Sequence, residues 1–558
     1  MAFQLSPGVV VQEKDFSTIV PQVATSAGAF AGVFSWGPIA DPVQITSEIE
    51  LAQRFGTPND DNFTSFFSAA NFLAYANNLL VVRADSALTT NAVSSGTAIK
   101  ITNADAYQAT YQNGSADVGE FAAKWAGAAG NSLLVSMADS ATFTGWAYED
   151  EFDSAPGTSA YATQRGGSAD EMHIIIIDED GAFTGSAGTI IEKFAFTSKG
   201  SDAKAPDGST SYYKNVLNAR SRYVWWMDHP TEGTNFGDAV SGTTFVDLDA
   251  PVTNSLIGGV DDYASTPGEI QAGYVPFAND ELYDISLVVM GKAPAVTAKF
   301  VIDNVVEVRK DCMVFVSPES PTGEPITSAS ATAIADMKTY RTALGSTSYG
   351  VMDSGVKYQY DRYNDKYRFI PLNGDIAGLC ARTDYAQDPW YSPAGTSRGQ
   401  IKNVVKLGIS PNKTQRDELY KNGINPVVTF PGSGTQLFGD KTLLTAPSAF
   451  DRINVRRLFI VLEKAISISA KAQLFEFNDS FTRAAFKNAV EPFLRDVQGR
   501  RGVTDFRVVC DETNNTGEVI DRNEFAADIF IKPNRSINFI NLTFVAARTS
   551  VSFDEIGG

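Results

Sequence analysis

The chain has 558 residues, 43% hydrophobic and 20% charged, the composition of a folded, soluble protein with two to four domains. Its formal charge of −20 disfavours a nucleic-acid partner, and no stretch approaches the roughly 18 apolar residues of a membrane span, so direct membrane insertion is not expected. Cys312, Cys380 and Cys510 are far apart and in no zinc or redox spacing, as expected of reduced core cysteines made in a cytoplasm; no basic-then-apolar signal pattern precedes Ser6.

Residues 1–20 carry Val9, Val10 and Val11 between Ser-Pro-Gly and the charged Glu13, Lys14 and Asp15. They have too few apolar side chains to fold alone, which predicts an arm that adds as a strand to another sheet. AGAFAGVF (27–34) reads as a strand, EIELAQRF (48–55) as a helix, Thr64 to Asn77 as a second helix, and LLVVRA (79–84) as a strand. From 91 to 250, Gly, Ser, Thr, Ala and Asp dominate around short strands such as HIIIID (173–178) and YVWWM (223–227), which predicts a β-rich insertion. With 9 basic and 21 acidic side chains it is strongly acidic, and it is expected to face outward. The α/β pattern resumes with DISLVVM (284–290), CMVFVSP (312–318), a helix near 330–343 and YRFIPLN (367–373).

From Val455, the residues Leu458, Phe459, Leu462 and Ile466 share one helical face, while Arg457, Lys464 and Lys471 project away from it as a basic stripe. A second helix is predicted from Asp479, its N-cap, burying Phe486, Val490, Phe493 and Val497, with Pro492 expected to kink or restart it. Strands follow at 506–510, 525–531 and 537–546, and Val551 and Phe553 repeat the strand-like alternation near the end. The expected fold class is therefore multidomain α/β and α+β. An N-terminal arm (1–20) precedes a split α/β domain (21–90 and 251–380) interrupted by the insertion (91–250). A C-terminal module (381–545) and a C-terminal arm (546–558) complete it.

Catalytic motifs fare poorly. GTSRG (395–399) has the spacing of a nucleophile elbow around Ser397, but the two histidines, His173 and His229, both precede it, against the hydrolase order. GSGTQLFGDKT (432–442) has Asp440 where a phosphate loop requires Gly directly before Lys441, so a plain turn is expected. Two histidines without carboxylate or cysteine partners make no zinc site, and DED (178–180) lacks the glycine turn of a calcium loop and reads as a solvated acidic turn. Trp225 and Trp226, beside Tyr223, read as packing rather than a stacking platform.

Several ordered segments resemble the contractile tail sheath proteins of phages and related injection machines. They are SPGVVVQE (6–13), AKWAGAAGNSLLV (123–135), ARTD with PWYSPAG (381–395), NGINPVVTFPGSGTQLFGDKTL (422–443), NVRRLFIVLEKAI (454–466), CDETNNTGEVID (510–521) and ADIFIKPNRSINFINLTF (527–544). The resemblance implies a virion structural protein without cofactor, made in the host cytoplasm. The resemblance further implies that it polymerises as hexameric rings in a helical array around a tail tube and contracts to drive the tube through the host envelope. Its implied partners are other sheath subunits, the tube protein, and baseplate and tail terminator proteins. On that basis the arms at Val9–Val11 and at Val551 and Phe553 are expected between subunits. Arg457, Lys464 and Lys471, with Arg483 and Lys487 as second choice, are expected to face the tube. A static shell or tube subunit, or a serine hydrolase using Ser397, are the alternatives.

Overall fold

The computed structural model describes residues 24–231 and 234–538, which form two compact units. The larger comprises residues 24–389 and 393–453, and the C-terminal unit comprises Trp390–Ser392 and the described residues from Asn454 onward. Among the described residues, no helix is long and apolar enough to cross a membrane.

The larger unit is organised by a seven-stranded sheet in the order Ile424–Asn425, Gly350–Asp353, Met313–Val316, Leu287–Val289, Gly28–Gly32, Leu79–Arg83, Val43–Ile45. All neighbours pair in parallel except the edge strand Val43–Ile45, which runs antiparallel to Leu79–Arg83. Parallel strands are covered on both faces, which explains why GAFAG, LVV and MVFV are buried at every position rather than alternating. Gly28 packs so close to the covering helix Phe63–Leu73 that a Cβ there would lie 2.6 Å from the Phe72 ring. The chain leaves the central strand Gly28–Gly32 towards Leu79–Arg83 on one side and, after the insertion, returns to Leu287–Val289 on the other. Both α/β pieces therefore contribute strands to one sheet. Helix Glu48–Phe55 starts on the Ser47 side chain, buries Leu51 and Phe55, and stops at Gly56 with φ 82°.

The insertion folds around an antiparallel sheet in the order Thr189–Ser198, Glu171–Asp178, Leu133–Asp139, Val252–Ser255, beside a two-stranded pairing of Phe121–Ala123 with Val224–Trp226. It thus continues past residue 250, because Val252–Ser255 is held by pairing with Leu133–Asp139 and carries no strong strand pattern of its own. Trp225 and Trp226 are both buried, Trp225 stacked on Tyr107 with centroids 4.2 Å apart.

The C-terminal module expected from residue 381 begins much later. Residue 381 lies inside helix Asn373–Ala386, and Ile424–Asn425 supplies an edge strand of the large sheet through the pairing Met352↔Ile424. That long-range pairing leaves no local signature. The C-terminal unit itself packs helix Ile453–Lys471, helix Ser480–Gly499 and the antiparallel ribbon Val503–Val509 with Asp528–Pro533. Its core gathers Trp390, Leu458, Leu462, Phe486, Val490, Leu494, Val497, Val503 and Val508. Asp479 caps the second helix, accepting from Thr482 N at 2.8 Å, and Pro492 lies within that helix without ending it. Leu494 is fully buried and Phe493 only partly, a one-residue shift from the expected face. Ile537 and Asn538 are not in a strand, and the rest of that predicted strand lies outside the described residues.

Candidate assembly interface

The features suited to assembly lie in the C-terminal unit. Its ribbon pairs Phe506 with Ile531, Val508 with Ile529 and Val509 with Asp528, with a register shift between Val503 and Asp505. Val503 and Val508 are buried, and Ile529 and Ile531 pack against the same core, while Arg507, Phe530 and Lys532 face outward. Lys532 Nζ lies 3.1 Å from Asp505 Oδ2 across the strands, and this ion pair is exposed. Each strand has one partner among the described residues, so each presents an outer edge of backbone donors and acceptors to which an extended segment can add.

A second feature was not legible from periodicity. The turn between the two helices exposes Leu474, Phe475 and Phe477, and the start of the second helix exposes Phe481, at 63, 106, 83 and 79% of full accessibility. Phe475 sits there with φ 70°, outside the conformations usual for a bulky residue. Large apolar side chains left this exposed make the segment a candidate for contact with another molecule. The signal was present as four large apolar residues in the segment LFEFNDSF (474–481), but a reading that assigns core faces to helices passes over the connector.

The expected basic stripe breaks up. Arg457 and Arg483 are 4 and 8% exposed, so neither stands on an open surface. Ile453, Asn454, Val455, Arg456, Arg457 and Leu458 are all buried: the first turns of the helix are enclosed on every side, which a helical wheel with one apolar face cannot reveal. Lys464 is half-buried and Lys471 exposed; Lys487 is partly exposed, with Nζ 3.6 Å from Glu491 Oε1 one turn on. The arm residues Val9, Val10, Val11, Val551 and Phe553 lie outside the described residues.

The rejected chemistry is now placed. Ser397 is exposed on a turn in which Gly399 N donates to Gly395 O at 2.7 Å. His173 uses both ring nitrogens elsewhere, Nδ1 accepting from Phe196 N and Nε2 lying 2.9 Å from Ser154 O, while its ring stacks on Phe152. His229 Nδ1 lies 2.6 Å from the Tyr213 hydroxyl. Neither histidine's hydrogen bonds reach Ser397. The glycine-rich segment forms the hairpin Val427–Phe430 with Gly434–Leu437, and Asp440 pairs with Arg452 at 2.9 Å. Asp178 departs from the solvated turn expected of DED. It is buried, which raises its carboxyl, but Oδ1 accepts from the Ser132 hydroxyl and Oδ2 from Thr184 N, the Thr184 hydroxyl and Phe183 N, and these together hold it below the usual carboxylate range.

Comparison with known proteins agrees with an assembly role. The phage tail sheath protein central domain matches residues 279–443, the phage tail sheath C-terminal domain 445–547, and the N-terminal region of tail sheath protein Gp18 domain III 28–84. The tail sheath protein of Vibrio phage KVP40 is 36% identical over 99% of this chain and 100% of its own length. That of Enterobacteria phage T4 is 33% identical over 99% of each. Among solved structures, a sheath tail protein from Listeria innocua covers 93% of this chain and 98% of its own, with TM-score 0.55 and 12% identity. The contracted sheath complex of an extracellular contractile injection system covers 98% and 99%, with TM-score 0.52 and 13% identity, so the fold is shared. The chain belongs to the phage tail sheath protein family.

Proposed function

We propose that the protein is the subunit of a contractile sheath, a helical array of hexameric rings around a tail tube that shortens to drive the tube through the host envelope. The observation that carries this reading is the open-edged ribbon of the C-terminal unit in a chain that matches tail sheath proteins end to end. In this reading the N-terminal arm at Val9–Val11 of one neighbour and the C-terminal arm at Val551 and Phe553 of another add strands to that ribbon. Head-to-tail contacts of this kind do not close into a dimer but propagate as a helix. Main-chain hydrogen bonds hold the subunits while the rigid bodies rotate and slide. The extended array is then a state held by barriers, released by the baseplate and limited by the tail terminator. Burying about 400 Å² of additional apolar surface per subunit on contraction would supply on the order of 10 kcal/mol before opposing costs. The sheath acts as part of the virion and needs no cofactor or catalytic residue.

Removing residues 1–20 tests the arm. The truncated chain is expected to remain folded and soluble, with the far-ultraviolet circular dichroism of the full chain, but to stay monomeric under conditions where the full chain polymerises. Normal sheaths of the truncated chain in electron micrographs would remove the strand-exchange role.

A further inference from the structure

The larger unit buries a lysine and an aspartate against each other where two of its elements meet. Lys357 stands on the strand Val356–Asp361 and Asp375 in the first turn of helix Asn373–Ala386, and both residues are 0% exposed. Lys357 Nζ lies 2.9 Å from Asp375 Oδ1 and donates to Lys402 O at 3.0 Å. The Tyr75 hydroxyl donates to the same Oδ1 at 3.0 Å and itself accepts from Lys402 N at 2.6 Å. Asp375 Oδ2 is buried with no hydrogen-bond partner among the described residues.

That inventory fits an ion pair poorly. An ammonium has three N–H donors and meets two acceptors here, while the carboxylate has two oxygens and uses one. A buried polar atom left unmet is costly, and so is a pair of buried charges without further support. An amide between the two side chains matches every contact. Its carbonyl oxygen, Oδ1, accepts from Tyr75, its one N–H donates to Lys402 O, and the orphan oxygen is gone. The other buried pair of this unit is the contrast. Asp139 Oδ2 accepts from Lys199 and from Leu248 N, and its Oδ1 from the Thr142 hydroxyl, so both oxygens are used and the carboxylate is complete as it stands.

We propose that Lys357 and Asp375 condense after folding into an isopeptide bond that ties helix Asn373–Ala386 to the strand Val356–Asp361. The Nζ–Cγ bond forms and the Cγ–Oδ2 bond breaks. Of the three ammonium protons, two leave with Oδ2 as water and the third stays on the amide nitrogen, so no oxidant, nucleotide or other reagent is consumed. Burial favours the reactive neutral forms, pushing the lysine below its ordinary value and the carboxyl above its own. A desolvated lysine amine is a nucleophile. The fold supplies the rest, because it holds the amine against the carboxyl group and aims the Tyr75 hydroxyl at the oxygen on which charge develops as nitrogen adds. Exclusion of water from the site favours the direction that releases it.

Mass spectrometry of the denatured full-length chain tests the assignment. The chain is expected to be lighter than the sum of its residues by one water. A tryptic digest is expected to contain a branched peptide that joins residues 342–362 to 369–382 and is uncut at Lys357. Lys357→Arg, which keeps the charge and removes the amine, should carry its full sequence mass, and the Lys199–Asp139 pair should stay open in both chains. A parent chain at full sequence mass overturns the proposal, whatever the variant does, and so does a loss of water that comes without the branched peptide or persists in Lys357→Arg. These measurements read covalent structure alone, whether or not the chain forms sheaths.

Discussion

Two buried lysine–carboxylate pairs of the larger unit show how neighbours decide the fate of a buried charge. Lys199 lies 2.8 Å from Asp139 and Lys357 2.9 Å from Asp375, and all four side chains are at most 1% exposed. Burial raises both carboxyls, but Asp139 also accepts from Lys199, Leu248 N and Thr142, and ends below the ordinary range. Asp375 shares one oxygen between Lys357 and Tyr75, its other oxygen has no partner, and burial wins, leaving it raised. Its charge also bears on Asp353, which is pushed up to about 8, chiefly by burial, against hydrogen bonds from Gly355 N and Ser317. The sign of the consequence is fixed. Between the ordinary value of 3.8 and about 8 the folded chain keeps a proton on Asp353 that the unfolded chain has lost, so stability falls as pH rises through that window and levels off above it. Asp353→Asn cannot ionise, so its advantage over the parent in urea midpoint should grow steadily from pH 5 to pH 8. A constant difference across that range would mean that Asp353 titrates normally.

At the scale of elements, what was legible in the sequence was whatever local physics determines. Helix Glu48–Phe55 occupies the predicted residues, and Asp479 caps the helix it was expected to cap, because a side-chain acceptor beside an apolar period of 3.6 is a local signal. The central strands were legible as short apolar runs. What failed depended on partners distant in sequence: the pairing of Ile424 with Met352 that draws residues 393–453 into the larger unit, and the enclosure of Arg457. Of the candidate site, the ribbon was legible by its alternation, the basic stripe only at Lys464 and Lys471, and the aromatic turn not at all. Pro492 is the instructive middle case, since helix Ser480–Gly499 runs through it. Proline there withholds an N–H from the carbonyl four residues earlier and crowds it, while its side chain is exposed and fills no core. Pro492→Ala should therefore stabilise the C-terminal unit by about 1–3 kcal/mol, the helix gain less the added freedom of the unfolded chain. The free energy of opening from amide hydrogen exchange along helix Ser480–Gly499 checks it; a value that falls would show that the unit depends on the proline.

For the whole molecule, the acidity concentrated in residues 91–250 contrasts with a neutral C-terminal region, where 451–558 carries 15 basic and 15 acidic side chains. In the proposed sheath, a subunit would have to hold its neighbours firmly and its tube weakly, because the tube would have to slide past. Strand addition and a dry apolar patch such as the Phe475 turn suit the firm contacts, and solvent-exposed charge suits the weak one, since it is screened over about 8 to 10 Å at ordinary salt. With Arg457 and Arg483 buried, we propose Lys464 and Lys471 for the tube contact, with Lys487 partly engaged by Glu491. Lys471 is the cleaner probe, being exposed at the end of its helix. Lys464→Glu and Lys471→Glu should each leave the chain folded and able to polymerise by itself, yet lower its co-sedimentation with tail tubes at low salt, and the double change should lower it further. Raising the salt should weaken the parent towards the variants, because screening removes the attraction that the substitutions reverse. Co-sedimentation that is unchanged by both substitutions and insensitive to salt would place the tube contact on another surface, and the exposed aromatic turn would be the next to test.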